Sequence, residues 1–217
     1  MLLGAGQFFE KRGAPTPPLP YDYAVEYIET DGVASYIDTG CVPDVSSSTV
    51  SMIIQVVSIP DTTQNRGYVN TICDAGVGTQ TTQARFAFGV NGAISFFSFR
   101  NPTNDMDIPY NNSVCYVSLS PSLIRFNNNT YTPSSMTTSQ GNNSLFLGRA
   151  RVLPLSNSYA KYSRTRYYSV QILTGGAEVF TGIPVVVNGA AGLYDSISGT
   201  VKFNAAESGT ITAGPRV

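Results

Sequence analysis

The stretch Val170-Gln171-Ile172-Leu173-Thr174-Gly175-Gly176-Ala177-Glu178-Val179-Phe180 decides the fold class. Val170 and Ile172 alternate with Gln171, the period of a strand with one face buried. Gly175-Gly176 then supplies two residues that adopt positive φ without penalty, which a type I′ turn needs at both central positions. The segment therefore reads as two antiparallel strands joined by a tight turn. Arg85–Val90 and Ala93–Phe99 repeat the arrangement around Asn91-Gly92, the strongest short hairpin signal a sequence can carry.

Working outward, apolar, β-branched or aromatic runs recur between turn clusters from Tyr21 onward. The expected strands are Ala24–Glu29, Ser35–Thr39, Thr49–Ser58, Tyr68–Asp74, Val114–Ser120, Leu123–Asn127, Ser144–Arg149 and Tyr159–Leu173. They continue with Ala177–Phe180, Ile183–Val187, Gly192–Asp195, Thr200–Asn204 and Thr210–Ala213. Asn127-Asn128-Asn129 turns one run back into Thr130–Thr132, and Ser198-Gly199 separates Tyr194 from Val201. No stretch keeps a 3.6-residue apolar period over three turns. The pattern predicts an all-β chain built as a two-sheet antiparallel β-sandwich, a jelly roll, with Phe86, Phe88, Ile94, Phe96, Val117, Phe146, Tyr168, Val170 and Ile172 in its core.

Composition narrows the chemistry. The 217 residues contain no His, so Ser-His or Cys-His nucleophile pairs, His-ligated zinc and histidine pH switches are excluded. Charged residues make up 12%, against about 25% in an ordinary soluble domain, and the net charge is −1, so Ser, Thr, Asn and Gln fill much of the surface. Such a surface offers no footprint for phosphate backbones or anionic lipid, and neither nucleic acid nor membrane is an expected partner. Cys41, Cys73 and Cys115 are odd in number and never spaced as CxxC, which reads as buried free thiols of a reducing compartment and leaves a Cys41–Cys73 bridge open.

Residues 1–20 stand apart from residues 21–217, the expected sandwich domain. Met1, Leu2, Leu3, Phe8 and Phe9 give an apolar tip that is too short for a membrane span and has no basic residue before it, as a secretory signal would. Pro15, Pro17, Pro18 and Pro20 follow, removing backbone donors and holding φ near polyproline II. An apolar tip on an extended stem reads as an assembly arm that docks on another protein.

Val25-Glu26-Tyr27-Ile28-Glu29-Thr30-Asp31-Gly32 with Ser35-Tyr36-Ile37-Asp38-Thr39-Gly40 resembles an opening pattern, YIxSxGxQYIDTG, and the far end matches a closing one. There stand Phe180-Thr181-Gly182-Ile183-Pro184-Val185, Gly192-Leu193-Tyr194-Asp195-Ser196-Ile197-Ser198-Gly199, Val201-Lys202-Phe203-Asn204 and Gly209-Thr210-Ile211-Thr212-Ala213-Gly214-Pro215. Together they resemble the concanavalin A-like, laminin G-like jelly-roll module of gut bacteriophage and prophage virion proteins, over residues 24–215. Thr181-Gly182 and Val187 depart from the charged and basic residues common at those places. The resemblance implies a non-enzymatic virion protein, a head or tail fibre or capsid decoration, assembled in the bacterial host cytoplasm. Other virion proteins, capsid or fibre base, are then the partners of residues 1–20. Homo-oligomers, trimers first, are expected, and a host-surface glycan is the further ligand. The same fold also serves lectins, so a carbohydrate-binding adhesion module is the alternative.

Glycanases of this broad fold carry paired acids on one strand. The nearest approach is Glu29-Thr30-Asp31, read as lying in a turn without a third acid, and Glu26 and Glu29 fall on opposite faces of a strand, so no catalytic residue is assigned. Asp105 and Asp107, with Asn101 and Asn104, offer oxygen ligands for Ca²⁺ but lack the sharp-turn Gly and terminal bidentate acid, and read as a solvated loop. No metal or cofactor is expected. Asp38 and Asp195 read as acceptors of backbone N–H bonds in turns. The basic-aromatic run holding Tyr162, Arg164, Arg166 and Tyr168 is the candidate ligand or subunit-interface face, with Arg164 and Arg166 on one side of a long strand and Thr165 and Tyr167 on the other.

Overall fold

The computed structural model describes residues 19–44, 46–58, 71–75, 87–91, 94–98, 108–109, 112–132, 142–149 and 162–217. They form two antiparallel sheets and no helix among the described residues, a β-sandwich as expected. In the larger sheet the strands run β11 (Asn129–Tyr131), β10 (Ile124–Phe126), β9 (Cys115–Leu119), β4 (Ser48–Ser58), β13 (Arg164–Thr174), β14 (Ala177–Val187), β15 (Ala190–Asp195) and β16 (Thr200–Lys202). Two short additions complete it: β1 (Tyr23–Ala24) pairs with β14, and β2 (Ile28–Thr30) lies between β13 and β17 (Ile211–Ala213). The smaller sheet is ordered β3 (Ile37–Asp38), β12 (Phe146–Leu147), β5 (Thr71–Asp74), β6 (Ala87–Asn91), β7 (Ile94–Ser98) and β8 (Ile108–Pro109).

Alternation along β4 explains why it sits at the centre. Ser48, Val50, Met52, Ile54 and Val56 point inward and the residues between them outward, so one face is continuous with Val117 and Leu119 of β9 and Val170 and Ile172 of β13. These meet Ile37, Ile72, Cys73, Leu145 and Leu147 of the opposite layer in one apolar cluster. Each such fully buried side chain contributes about 1.5–3 kcal/mol. The layers are also tied by a hydrogen bond, from the Tyr167 hydroxyl on β13 to the Ile72 carbonyl on β5, at 2.6 Å.

The hairpin read from Gly175-Gly176 forms as expected, with φ of 59° and 84° at the two glycines and Thr174 paired with Ala177. The hairpin around Asn91-Gly92 also forms, Asn91 pairing with Ile94, although Gly92 and Ala93 lie outside the described residues. Several expectations need correction. Ala24–Glu29 is not one strand: the chain bends at Glu26 between β1 and β2. Ala177–Phe180 and Ile183–Val187 are one strand, β14, running through Pro184. That proline is tolerated because β14 leaves β13 after Gly182 and takes up β1 only at Val185, so the missing N–H falls at the handover, where the Pro184 carbonyl accepts from Val25 instead.

Tyr168 does not join Val170 and Ile172 in the core. Between Tyr167 and Ser169 the pairing with β4 shifts, Tyr167 opposite Ile54 and Ser169 opposite Ile53, so Tyr168 is the extra residue of a β-bulge. A bulge inverts alternation, and Tyr167 is buried while Tyr168 turns outward beside Arg166. Phe146 is likewise only half-buried; Leu145 and Leu147 fill the core in its place. Phe86 lies outside the described residues, and Phe88, Ile94 and Phe96 stand in β6 and β7.

The two halves of the motif-bearing sequence meet. Val25 bridges to Arg216, the Glu26 N–H donates to the Pro215 carbonyl and the Gly214 N–H to the Tyr27 carbonyl. None of the three cysteines is in a disulfide, so no Cys41–Cys73 bridge forms; Cys73 and Cys115 are buried and Cys41 half-buried. Burial pushes the Cys115 thiol up to about 12.

Candidate functional site

Three of the four residues singled out on the basic-aromatic strand come together on the outer face of the large sheet. Register places Gln55 of β4, Arg166 of β13, Glu29 of β2 and Thr212 of β17 side by side in one row across four strands. Glu29 Oε2 accepts from Arg166 Nε at 2.6 Å and Oε1 from Arg164 Nε at 2.7 Å. Arg166 Nη1 and the Tyr168 hydroxyl both donate to Gln55 Oε1, at 3.1 and 3.2 Å, and Gln55 Nε2 donates to the Asn112 carbonyl at 2.9 Å. The Arg166 guanidinium lies 4.5 Å from the centre of the Tyr27 ring, and Tyr27 and Tyr168 meet at 5.3 Å.

Electrostatics explain why this cluster holds. Arg164 and Arg166 sit two residues apart on one face of β13 and repel each other; a single carboxylate between them cancels that repulsion. Burial opposes ionisation of Glu29, whose side chain is 8% exposed, but the hydrogen bonds and charges of Arg166 and Arg164 prevail and hold its carboxyl below the usual range. Glu29 is thus not in a turn, as the sequence reading had it, but in β2 and committed to two cations. Tyr116 and Ile53, opposite one another on β9 and β4, extend the same face and are partly exposed.

Tyr162 is the one that the structure separates. It bridges to Arg149, just beyond β12 of the smaller sheet, and the chain passes through buried Ser163 before β13 begins. There the Arg149 guanidinium lies against two rings, 4.9 Å from the centre of Tyr36 and 5.4 Å from that of Tyr162, while Tyr36 meets Phe146 at 4.8 Å. Gln55, Tyr27, Tyr36 and Arg149 were missed by the sequence reading. They reach the two clusters from different strands, and no spacing along the chain signals that.

The acids in the motifs are turn anchors. Asp38 Oδ1 accepts the Gly40 N–H, and Asp195 accepts from the N–H groups of Thr181, Ile197 and Ser198. Asp31 goes further than expected: Oδ1 takes the N–H groups of Val33, Ala34 and Ser35, and Oδ2 takes that of Thr210 at 2.8 Å, so one carboxylate fastens both ends of the sandwich. Gly209, at φ 83°, leaves room for it, since a Cβ there would meet Asp31 Oδ2 at 2.6 Å. Burial opposes ionisation of Asp31 and of Asp195; N–H donors overcome it at Asp31, and the Ser198 hydroxyl with the N–H donors overcomes it at Asp195, leaving both pKa values below the ordinary carboxylate range.

Of the expected docking arm, Met1, Leu2, Leu3, Phe8, Phe9, Pro15, Pro17 and Pro18 lie outside the described residues, as do Asn101, Asn104, Asp105 and Asp107. Pro20 is exposed. The sandwich begins at Tyr21, stacked on Tyr194 of β15 at 5.2 Å, and Asp22, which donates its N–H to the Val186 carbonyl. Among the described residues no group of three or more His, Cys, Asp or Glu converges as a metal site would. Comparison with family models, with curated proteins and with solved structures found no match.

Proposed function

We propose that this chain is a non-enzymatic structural protein of a bacteriophage virion, a β-sandwich module hung on the particle by residues 1–20 as a head fibre or capsid decoration. The observation that carries this reading is the use made of the motif residues at the two ends. Asp31, Asp38, Asp195 and Gly209 are spent on fastening turns and joining the ends of the sandwich, and Glu29 is neutralised by two arginines. Motifs that serve the framework suit a module whose task is to be a durable body, with attachment delegated to the arm. The neutral hydroxyl- and amide-rich composition suits dense packing of copies. Deleting residues 1–20 is expected to leave a soluble, folded sandwich that no longer joins particles; particles that still incorporate the truncated chain would refute the docking role.

A carbohydrate-binding adhesion module is the second reading, favoured by the outer face where Tyr27, Tyr168 and Arg166 adjoin Gln55. It predicts glycan-array binding that Tyr168→Ala abolishes.

A further inference from the structure

We infer a second ligand site, on the flank of the smaller sheet, in which Arg149 receives the carboxylate of an acidic sugar. Among the described residues the guanidinium is held by ring contacts, with Tyr36 and with Tyr162, and Phe146 backs Tyr36. Among the described residues Arg149 makes no ion pair or side-chain hydrogen bond, and its Nε is buried without a hydrogen-bond partner. An arginine that is merely structural spends its donors on carbonyls or carboxylates, as Arg166 does 2.6 Å from Glu29. Among the described residues Arg149 instead keeps Nη1 and Nη2 unspent, and with Nε buried these two form the end of the planar group that is suited to a bidentate carboxylate. Because the stack already immobilises the side chain, binding costs little further ordering.

The neighbourhood selects among carboxylates. Against the guanidinium stand the rings of Tyr36 and Tyr162, with Phe146 behind Tyr36; among the described residues the contacts are flat apolar faces rather than further charges. A polyacidic peptide finds one charge contact there. A uronic-acid sugar finds the same contact and ring faces for its C–H groups as well.

The inference rests on the sandwich being a glycan binder, the second reading above, but places the sugar elsewhere. The test titrates the full-length chain with methyl glucuronide, methyl glucoside and a tetraglutamate peptide, following backbone amide shifts. Expected are saturable shifts around Arg149, Tyr36 and Tyr162 with the glucuronide, at least tenfold weaker binding of the glucoside, and loss in Arg149→Gln with an unchanged melting temperature. Arg149→Lys, which keeps the charge without the fork, is expected to bind at least fivefold more weakly. No shift with the glucuronide, equal binding of the glucoside, tighter binding of tetraglutamate, or full binding by Arg149→Gln would each overturn the site. If Arg149→Gln fails to fold, Tyr162→Leu replaces it, and undiminished glucuronide binding in that variant overturns the site equally. Array binding abolished by Tyr168→Ala, with no glucuronide shift at Arg149, sinks this inference and leaves the outer-face reading standing.

Discussion

At the scale of single residues, Asp31 concentrates the most structure in one side chain. Four N–H groups converge on its carboxylate, three from the turn that follows and one from Thr210. Asp31→Asn keeps an acceptor for the turn but aims an amide N–H at the Thr210 N–H, and is expected to cost about 1–3 kcal/mol. The folded pKa lies below the unfolded one for Asp31, Asp195 and Glu29 alike. Their contribution is therefore present above the unfolded value near 4 and is lost as pH falls through the folded values. Melting temperature should be flat from pH 6 to 8 and drop steeply below about pH 4, with a shallower drop in Asp31→Asn; parallel curves for the two proteins would deny Asp31 this role. The glycine and the aspartate of Asp31-Gly32 announce a turn in the sequence. That the turn also clasps Thr210 was not legible, because the partner lies 179 residues away.

At the scale of elements, the long strand β13 carries the lesson. Its alternation predicts Arg164 and Arg166 on one face and Thr165 and Tyr167 on the other, as the structure has them. Two residues later the same rule fails, since simple period-two counting assigns Tyr168 to the face of Val170 and Ile172, and a bulge leaves no mark in residue type at this position. Inverting the assignment makes Tyr167 the buried tie to the second layer. Tyr167→Phe removes its hydrogen bond but leaves the Ile72 carbonyl its bond from the Gly148 N–H, so a loss of only about 1 kcal/mol is expected. Tyr167→Ala opens a cavity and should lose about 3–5 kcal/mol. Tyr168→Ala, on the surface, should stay within about 1 kcal/mol. Chemical denaturation of the three variants checks the order, and a Tyr168→Ala loss equal to that of Tyr167→Ala would reverse the assignment of faces.

At the scale of the whole molecule, the fold class was legible because hairpin turns and two-residue alternation are local properties. Gly175-Gly176 and Asn91-Gly92 each specify their neighbours without help from the rest of the chain. Sheet membership and the two side-chain clusters were not legible, since β2 joins β13 and β17, and Arg149 joins Tyr36 and Tyr162, only after distant segments meet. That difference predicts unequal effects of trimming the two ends. Removing residues 1–20 spares every described strand, the first of which begins at Tyr23, and should leave the melting temperature within a few degrees. Removing residues 210–217 strips β17 from β2, the Thr210 N–H from Asp31 and the bridge at Val25, and should leave a chain that binds a hydrophobic dye and lacks a cooperative melt. A cooperative transition in the second truncation would show that the joined ends are dispensable.

The pairing of β2 with β17 also sets a timetable for synthesis. β2 is made well before either of its neighbours, β13 and β17, and contacts this distant in sequence close slowly. Until those strands are made the Ile28–Thr30 segment has backbone donors and acceptors with neither partner strand beside them. In a crowd of identical nascent chains on one message, that waiting edge can accept β17 from an adjacent, finished copy. Exchange of β17 between copies is thus a misassembly to which this topology is exposed, and rapid docking of residues 210–217 on their own β2 guards against it.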